Sequence, residues 1–172
     1  MTIFYMRHGK DTREDGYSHD EILTDEGKEE VRQFTRDMVN KNGIPEVIYC
    51  SIFYRCRQTA KEMYKLLKEE YQVKPKIKFE RKLGRYFAKE EKYNPGLHRS
   101  TLKQKPIIHE SHEEFKERTT KFHLNILDKH VTEGSPNIWL ITHSLVIIRV
   151  LKHHNIQRSY YIQYLDTVEV PK

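Results

Sequence analysis

The residues of this chain that are best suited to chemistry lie near its start, where an apolar run changes abruptly into Arg7-His8-Gly9. Ile3 to Met6 has the short apolar pattern of a buried strand, so Arg7 and His8 should emerge at its carboxyl end. A guanidinium offers a planar fork of donors to an anion, and a neutral imidazole is a nucleophile. Gly9 would let the backbone turn sharply or approach a ligand closely. The tripeptide is consistent with an anion site, although an exposed basic turn could have the same sequence.

Two more basic groups follow predicted strands. Val47 to Cys50 is a short apolar run, and Arg55 falls in the first turn of the helix predicted after it, from Tyr54 or Arg55 to about Glu70. Asn137 to Thr142 is the most strand-like run of the chain, and it leads directly to His143. Alone, each could be a surface arginine or a structural core histidine. Together they favour one crevice, because open α/β sheets bind ligands at the carboxyl ends of their strands.

Strand-like and helix-like patterns alternate along the chain. Thr24 is a good N-cap for a helix predicted over Asp25 to Asn40, and Ser111 begins a capping box for a helix continuing to about Val131. The other predicted elements are a strand over Val73 to Phe79, a helix over Leu145 to His154 and a partial strand between Tyr160 and Val170. This alternation predicts a three-layer α/β/α sandwich with a mostly parallel central sheet, formed by a single domain of residues 1–172.

The charge balance favours anionic partners. Lysine and arginine outnumber aspartate and glutamate by 31 to 25, which gives a net charge of +6. A phosphate ester, a nucleic acid or an acidic protein face would each suit this charge. The cations are mixed with glutamates, as in Lys28-Glu29-Glu30, which is typical of solvated helix faces. This mixing disfavours a dedicated nucleic-acid surface without removing that alternative.

Cysteine usage and hydropathy predict a soluble cytoplasmic protein. Cys50 and Cys56 lie in one short segment that contains no other potential metal ligands, so they should be reduced thiols. No apolar stretch approaches the roughly eighteen residues that a membrane span needs. A signal peptide is not expected, because Arg7 and His8 interrupt the N-terminal apolar run.

Four other histidines lie in two pairs, His109 with His112 and His153 with His154. A metal site could be drawn through either pair, but no carboxylate or cysteine is placed to complete the ligand set. The second pair is more simply explained as cations or neutral donors near the end of a helix. We therefore expect neither a metal site nor a cofactor.

Taken together, four sequence features resemble the histidine phosphatase superfamily, which has the phosphoglycerate mutase-like fold. These features are Arg7-His8-Gly9, Leu23-Thr24-x-x-Gly27, Ser51-x-x-x-Arg55-x-x-Gln58-Thr59-Ala60 and Thr142-His143. The resemblance implies that His8 is a nucleophile that becomes a transient phosphohistidine. It also implies that Arg7, Arg55 and His143 hold the phosphoryl oxygens without a metal. Substrate contacts are expected from Gly9, Lys10 and Ser144.

The chain departs from the family pattern at the proton donor. Much of the family has a Leu-x-Glu shortly after the third strand, whereas Arg85 stands at the third of those positions here. Glu80, Glu90 or Glu91 could supply the proton instead. The short phosphohistidine phosphatases of the superfamily manage without this Glu, because a phosphoramidate leaving group needs less help.

The resemblance therefore implies a metal-independent phosphatase that acts on a phosphate monoester or a phosphoramidate, presented by a phosphorylated small molecule or a phosphoprotein. At 172 residues the chain is well short of the mutases, whose long insertions close over a bisphosphate, which favours hydrolysis over a glycolytic mutase activity. The alternative is a catalytically impaired member that keeps its phosphate pocket for binding or scaffolding.

Overall fold

A five-stranded sheet runs through the middle of the protein, as seen in a computed structural model that describes residues 2–12, 22–88, 109–131, 137–157 and 161–170. Its strands are β1 (Thr2–Arg7), β2 (Val47–Ser51), β3 (Lys76–Glu80), β4 (Asn137–Thr142) and β5 (Thr167–Val170). They lie in the order β3-β2-β4-β1-β5. The first four strands are parallel, and β5 pairs antiparallel with β1 at one edge.

The helices are α1 (Asp25–Asn42), α2 (Tyr54–Glu70), α3 (His112–Val131) and α4 (Ser144–His153), with a short 3₁₀ turn at Arg81–Leu83. The predicted cap of α1 is present, because Oγ1 of Thr24 accepts a hydrogen bond from the Gly27 amide at 2.9 Å. Gly43 ends this helix with a φ of 80°, a conformation that glycine adopts without strain.

Alternating side chains of the strands face two separate apolar clusters, one on each side of the sheet. Phe4 and Met6 of β1 join the cluster beneath α1 and α2. Ile3 and Tyr5, the alternate residues of the same strand, join the cluster beneath α3 and α4. The α/β fold with a mostly parallel sheet between two helical layers is therefore confirmed.

Several element boundaries differ from the predictions. The strand β3 begins at Lys76 rather than Val73, because Pro75 has no amide hydrogen for the ladder and Gln72 has a positive φ of 57°. The tail forms a regular strand only from Thr167, and α1 continues to Asn42 before its glycine cap. No helix in the described part of the chain is long and apolar enough to span a membrane.

The register of the sheet determines which groups meet at its carboxyl edge. Arg7 of β1 pairs with Thr142 of β4, and Cys50 of β2 pairs with Ile141 of β4. The strands β1, β4 and β2 are neighbours and end at the same level. The residues that follow them, including His8 and His143, therefore emerge side by side.

Candidate active site

His8 is buried directly after β1, and its two ring nitrogens have different partners. Nδ1 lies 2.9 Å from the carbonyl oxygen of Gly9, which can only accept a hydrogen bond. Nε2 accepts a hydrogen bond from Nε of Arg55 over 3.0 Å. Nδ1 therefore has the proton, and Nε2 has the free electron pair. In this tautomer the unprotonated nitrogen points toward a guanidinium.

His143 follows β4 and lies edge-on to His8, with 5.4 Å between the ring centroids. Nη2 of Arg55 donates to its Nδ1 at 3.3 Å, so its Nε2 has the proton and donates to Oγ of Ser51 at 3.1 Å. Burial, reinforced by the charge of Arg55 and of other nearby basic groups, lowers the pKa of His143 well below its usual value. His143 is therefore neutral in this site.

Arg55 reaches both histidines because α2 begins directly after β2 and Arg55 lies in its first turn. Thr59, one turn further on, fixes this arrangement. Its Oγ1 donates to the Arg55 carbonyl at 2.8 Å and accepts from the Gly9 amide at 3.0 Å. Gln58 accepts from the Leu23 amide at 2.8 Å. Two side chains of the predicted motif thus tie α2 to the segments that follow β1.

Arg7 is the last residue of β1 and is also buried. Its guanidinium carbon lies 4.2 Å from the ring centroid of Tyr164, and Nη1 donates to the carbonyl of Ile162. Both partners belong to the segment that precedes β5. After burial, which is the largest cause, the charge of Arg7 is one of those that lower the pKa of His143. Both arginines and both histidines therefore lie at one site.

Asp11 is a member of the site that the sequence analysis did not single out. Its carboxylate has no exposed area and lies 3.9 Å from Nδ1 of His8 and 3.6 Å from Nε of Arg55, measured to Oδ2. Tyr164 donates its hydroxyl hydrogen to Oδ1 of Asp11 at 2.7 Å. A buried anion therefore lies among the basic groups.

Two of the three predicted substrate contacts have structural roles that the sequence did not indicate. A Cβ on Gly9 would lie 2.7 Å from Cγ2 of Val31, so close packing against α1 requires glycine there. The ammonium of Lys10 pairs with Glu26 on the surface. Ser144 is the first residue of α4 and lies partly exposed beside the site.

Arg85 is connected to the site by contacts with a series of aromatic rings. Its guanidinium carbon is 3.9 Å from the ring centroid of Phe87, which stacks on Phe53 at 5.5 Å. Phe53 in turn meets His143 edge-on at 5.2 Å. Burial is the main cause of the lowered pKa of His143, and the positive charge of Arg85 adds to it. The guanidinium of Arg85 therefore lies near the site, and Arg85 stands at the sequence position where much of the family has a glutamate.

Glu80, one of three carboxyls considered as proton donors, ends β3 and pairs in register with Ser51 of β2. It lies on the same edge of the sheet as the two histidines, at the outermost parallel strand. Glu90 and Glu91 fall outside the described residues. The position of Glu80 thus keeps it among the candidates.

Within the described segments, no three or more histidine, cysteine, aspartate or glutamate side chains are grouped so that they could hold a metal ion. Cys50 and Cys56 are free and buried. Burial raises the pKa of the Cys56 thiol to about 12, which leaves it an inert neighbour of His143 at 3.6 Å.

A comparison with protein families identifies the chain. The sequence profile of the histidine phosphatase superfamily (branch 1) matches residues 3–162. The chain belongs to this superfamily. No curated protein sequence matches the chain.

Solved structures share the fold of this histidine phosphatase superfamily member. Phosphoglycerate mutase from Bacillus anthracis has a TM-score of 0.72 at 18% identity, over 98% of this chain and 86% of that one. The ecdysone phosphate phosphatase of Bombyx mori, in complex with tungstate, has a TM-score of 0.66 at 16% identity, over 99% and 89%. The protein histidine phosphatase SixA, complexed with tungstate, has a TM-score of 0.57 at 18% identity, over 88% and 75%. At these identities the likeness shows the phosphoglycerate mutase-like fold.

Three polar groups of this superfamily member were not predicted as site residues, for different reasons. Asp11 follows His8 by three residues, so its proximity to the predicted strand end was an available signal. Ser51 directly follows a predicted strand and belongs to one of the superfamily motifs, but no role was assigned to it. Tyr164 had none, because it reaches the site from a segment 153 residues away from its partner Asp11.

Proposed function

We propose that the chain is a metal-independent phosphatase that hydrolyses a phosphate monoester or a phosphoramidate through a phosphohistidine on Nε2 of His8. The proposal rests on one observation. Nδ1 of His8 is hydrogen-bonded to the Gly9 carbonyl, and its unprotonated Nε2 points to Arg55. A nucleophile next to a donor for phosphoryl oxygens is the arrangement that this chemistry needs.

In the first step, the electron pair of Nε2 attacks phosphorus and a nitrogen–phosphorus bond forms. The bond to the leaving oxygen or nitrogen breaks, and that atom takes the bonding pair and a proton from water or a nearby acid. In the second step, water attacks phosphorus, the bonding pair returns to Nε2, and phosphate leaves while the water proton passes to solvent. Arg7 and Arg55 neutralise the phosphoryl oxygens in both steps.

The comparisons support an oxyanion ligand for this pocket. Two of the structural neighbours are complexes with tungstate, a tetrahedral oxyanion like phosphate. One of them is a protein histidine phosphatase and the other acts on ecdysone phosphate. A phosphoramidate and a phosphate monoester are therefore both retained as substrate classes.

The deciding experiment measures hydrolysis of an aryl phosphate between about pH 5 and pH 8, with and without EDTA. Wild type should turn over in EDTA and accumulate acid-labile phosphoenzyme, whereas His8→Ala should do neither. His112→Ala is the matched control, because His112 is an exposed histidine outside the site. Full activity in His8→Ala would refute the proposal.

Arg85 favours a second candidate function, a phosphate-binding protein without turnover. A guanidinium beside the site cannot donate a proton to a leaving alkoxide, since arginine stays charged. Tungstate binding by calorimetry separates the two candidates. A binding-only protein would bind tungstate and form no phosphoenzyme from either an aryl phosphate or a phosphoramidate.

A further inference from the structure

Asp11 is the one acidic group packed against His8 in the described site. Its Oδ2 lies 3.9 Å from Nδ1 of His8 and 3.6 Å from Nε of Arg55, and its side chain is completely buried. The other charged groups around His8 are the guanidinium ions of Arg7 and Arg55, and His143 is neutral. The carboxylate is therefore the counter-charge to a basic pocket.

The backbone and Tyr164 hold this carboxylate in place. Asp11 forms an isolated antiparallel bridge with Leu23, and the Thr12 amide donates to the Ile22 carbonyl at 2.8 Å. The Tyr164 hydroxyl donates to Oδ1 at 2.7 Å, while the ring of the same tyrosine lies 5.6 Å from that of His8. The position of Asp11 is thus set from both ends of the chain.

A buried carboxylate has opposite effects on the two states of such a site. It repels an incoming phosphoryl dianion, and the repulsion is strong because little water screens it. Once Nε2 of His8 is bonded to phosphorus, however, the ring is a cation whose charge extends to Nδ1. The arginines destabilise that cation, whereas Asp11, on the Nδ1 side, attracts it.

We propose that Asp11 is a positioning residue that stabilises the phosphorylated, positively charged ring of His8 and, in return, weakens binding of the free anion. The proposal rests on the phosphohistidine mechanism proposed above. It goes beyond that mechanism because it separates anion affinity from catalytic rate. A residue that only held Arg55 in place would increase both the anion affinity and the catalytic rate.

Asp11→Asn tests this separation, because asparagine has nearly the same shape without the charge. The dissociation constant for tungstate should fall by about tenfold or more, since the repulsion between the carboxylate and the oxyanion is removed. The kcat for an aryl phosphate should fall by about tenfold or more, with slower phosphoenzyme formation in a rapid quench. Asp11→Ser, a second neutral variant, should show the same split.

Asp37→Asn is the control, because it removes one negative charge from the exposed face of α1. Asp37→Asn should leave both the dissociation constant for tungstate and the kcat for an aryl phosphate unchanged. Weaker tungstate binding together with lower kcat in Asp11→Asn would overturn the inference, as would an unchanged kcat. If the wild type is active, either of these results for Asp11→Asn leaves the phosphatase proposal intact. A wild type that never forms phosphoenzyme refutes that proposal and the inference with it.

Discussion

Nε of Arg55 donates a hydrogen bond to Nε2 of His8 over 3.0 Å, and Nη2 of the same guanidinium reaches Nδ1 of His143 at 3.3 Å. One arginine therefore orients both histidines. In the mechanism proposed above, the bond to His8 is exchanged when Nε2 attacks phosphorus, which releases an N–H group for a phosphoryl oxygen. In that mechanism, Arg55 links the orientation of His8 to the binding of the anion.

Replacing Arg55 with lysine should preserve the charge and lose this double contact. A lysine ammonium is a point charge without a planar fork, so it cannot orient both rings while binding an oxyanion. We expect kcat/KM for an aryl phosphate to fall by about a hundredfold or more. Arg36→Lys is the control, because Arg36 lies away from the site and pairs with Glu70 and Gln33 on the surface. Near-normal kcat/KM in Arg55→Lys would contradict the bridging role.

Gly9→Ala should destabilise the protein through packing. The new Cβ would lie 2.7 Å from Cγ2 of Val31, and we expect a loss of about 1–3 kcal/mol in the free energy of unfolding. In a Val31→Ala background the loss caused by Gly9→Ala should be smaller, because the methyl group that the new Cβ would strike is absent.

Gly27→Ala provides the comparison for this rescue. Its Cβ would lie 2.3 Å from the Lys10 carbonyl oxygen, a backbone atom that no side-chain truncation removes. Urea denaturation of the single and double variants measures both effects. If Gly9→Ala cost as much free energy in the Val31→Ala background as in wild type, the packing explanation for Gly9 would be wrong.

Arg85→Glu should change the preference for leaving groups. The carboxyl could donate a proton, which is typically worth about a hundredfold to ten-thousandfold for a poor leaving group. We expect the ratio of alkyl to aryl phosphate turnover to rise by about tenfold or more. Arg85→Gln removes the cation without adding an acid and should leave this ratio unchanged. An equal rise in both variants would show that charge alone is responsible.

Acid should destabilise the protein through His123, a buried residue of α3. Its Nδ1 contacts the Tyr5 hydroxyl at 3.0 Å and its Nε2 contacts Nε2 of His154 at 2.6 Å. Burial, followed by the charges of His154 and His153, lowers the pKa of His123 from 6.5 to about 4. The unfolded chain therefore binds the proton more tightly than the folded protein does.

The stabilising contribution of neutral His123 is complete above about pH 6.5 and is lost progressively as the pH falls toward about 4. The loss amounts to at most about 3 kcal/mol. Thermal unfolding from pH 7 to pH 4 measures it. His123→Gln should show a shallower decline than wild type, with His112→Gln as an exposed control. Parallel curves for His123→Gln and wild type would contradict this prediction.

Local sequence patterns were sufficient to predict the elements and the edge at which the site lies. Short apolar runs, capping residues and glycine or proline stops are local signals, so they predicted the strands and helices to within a few residues. Parallel strands that end at one edge then bring His8, Arg55 and His143 together. The superfamily motifs predicted the same set of residues, because their spacing repeats this geometry.

The groups that surround those residues could not be predicted from local patterns and became apparent only from the folded chain. Asp11 is hydrogen-bonded to Tyr164, which lies 153 residues away in the sequence. Gly9 packs on Val31, and Lys10 pairs with Glu26 on the surface. Tyr5 bonds to His123 in the same way, from the sheet to a distant helix. Such contacts depend on how separate elements pack, and periodicity along the chain encodes the face of each element but not the partner that the face will meet.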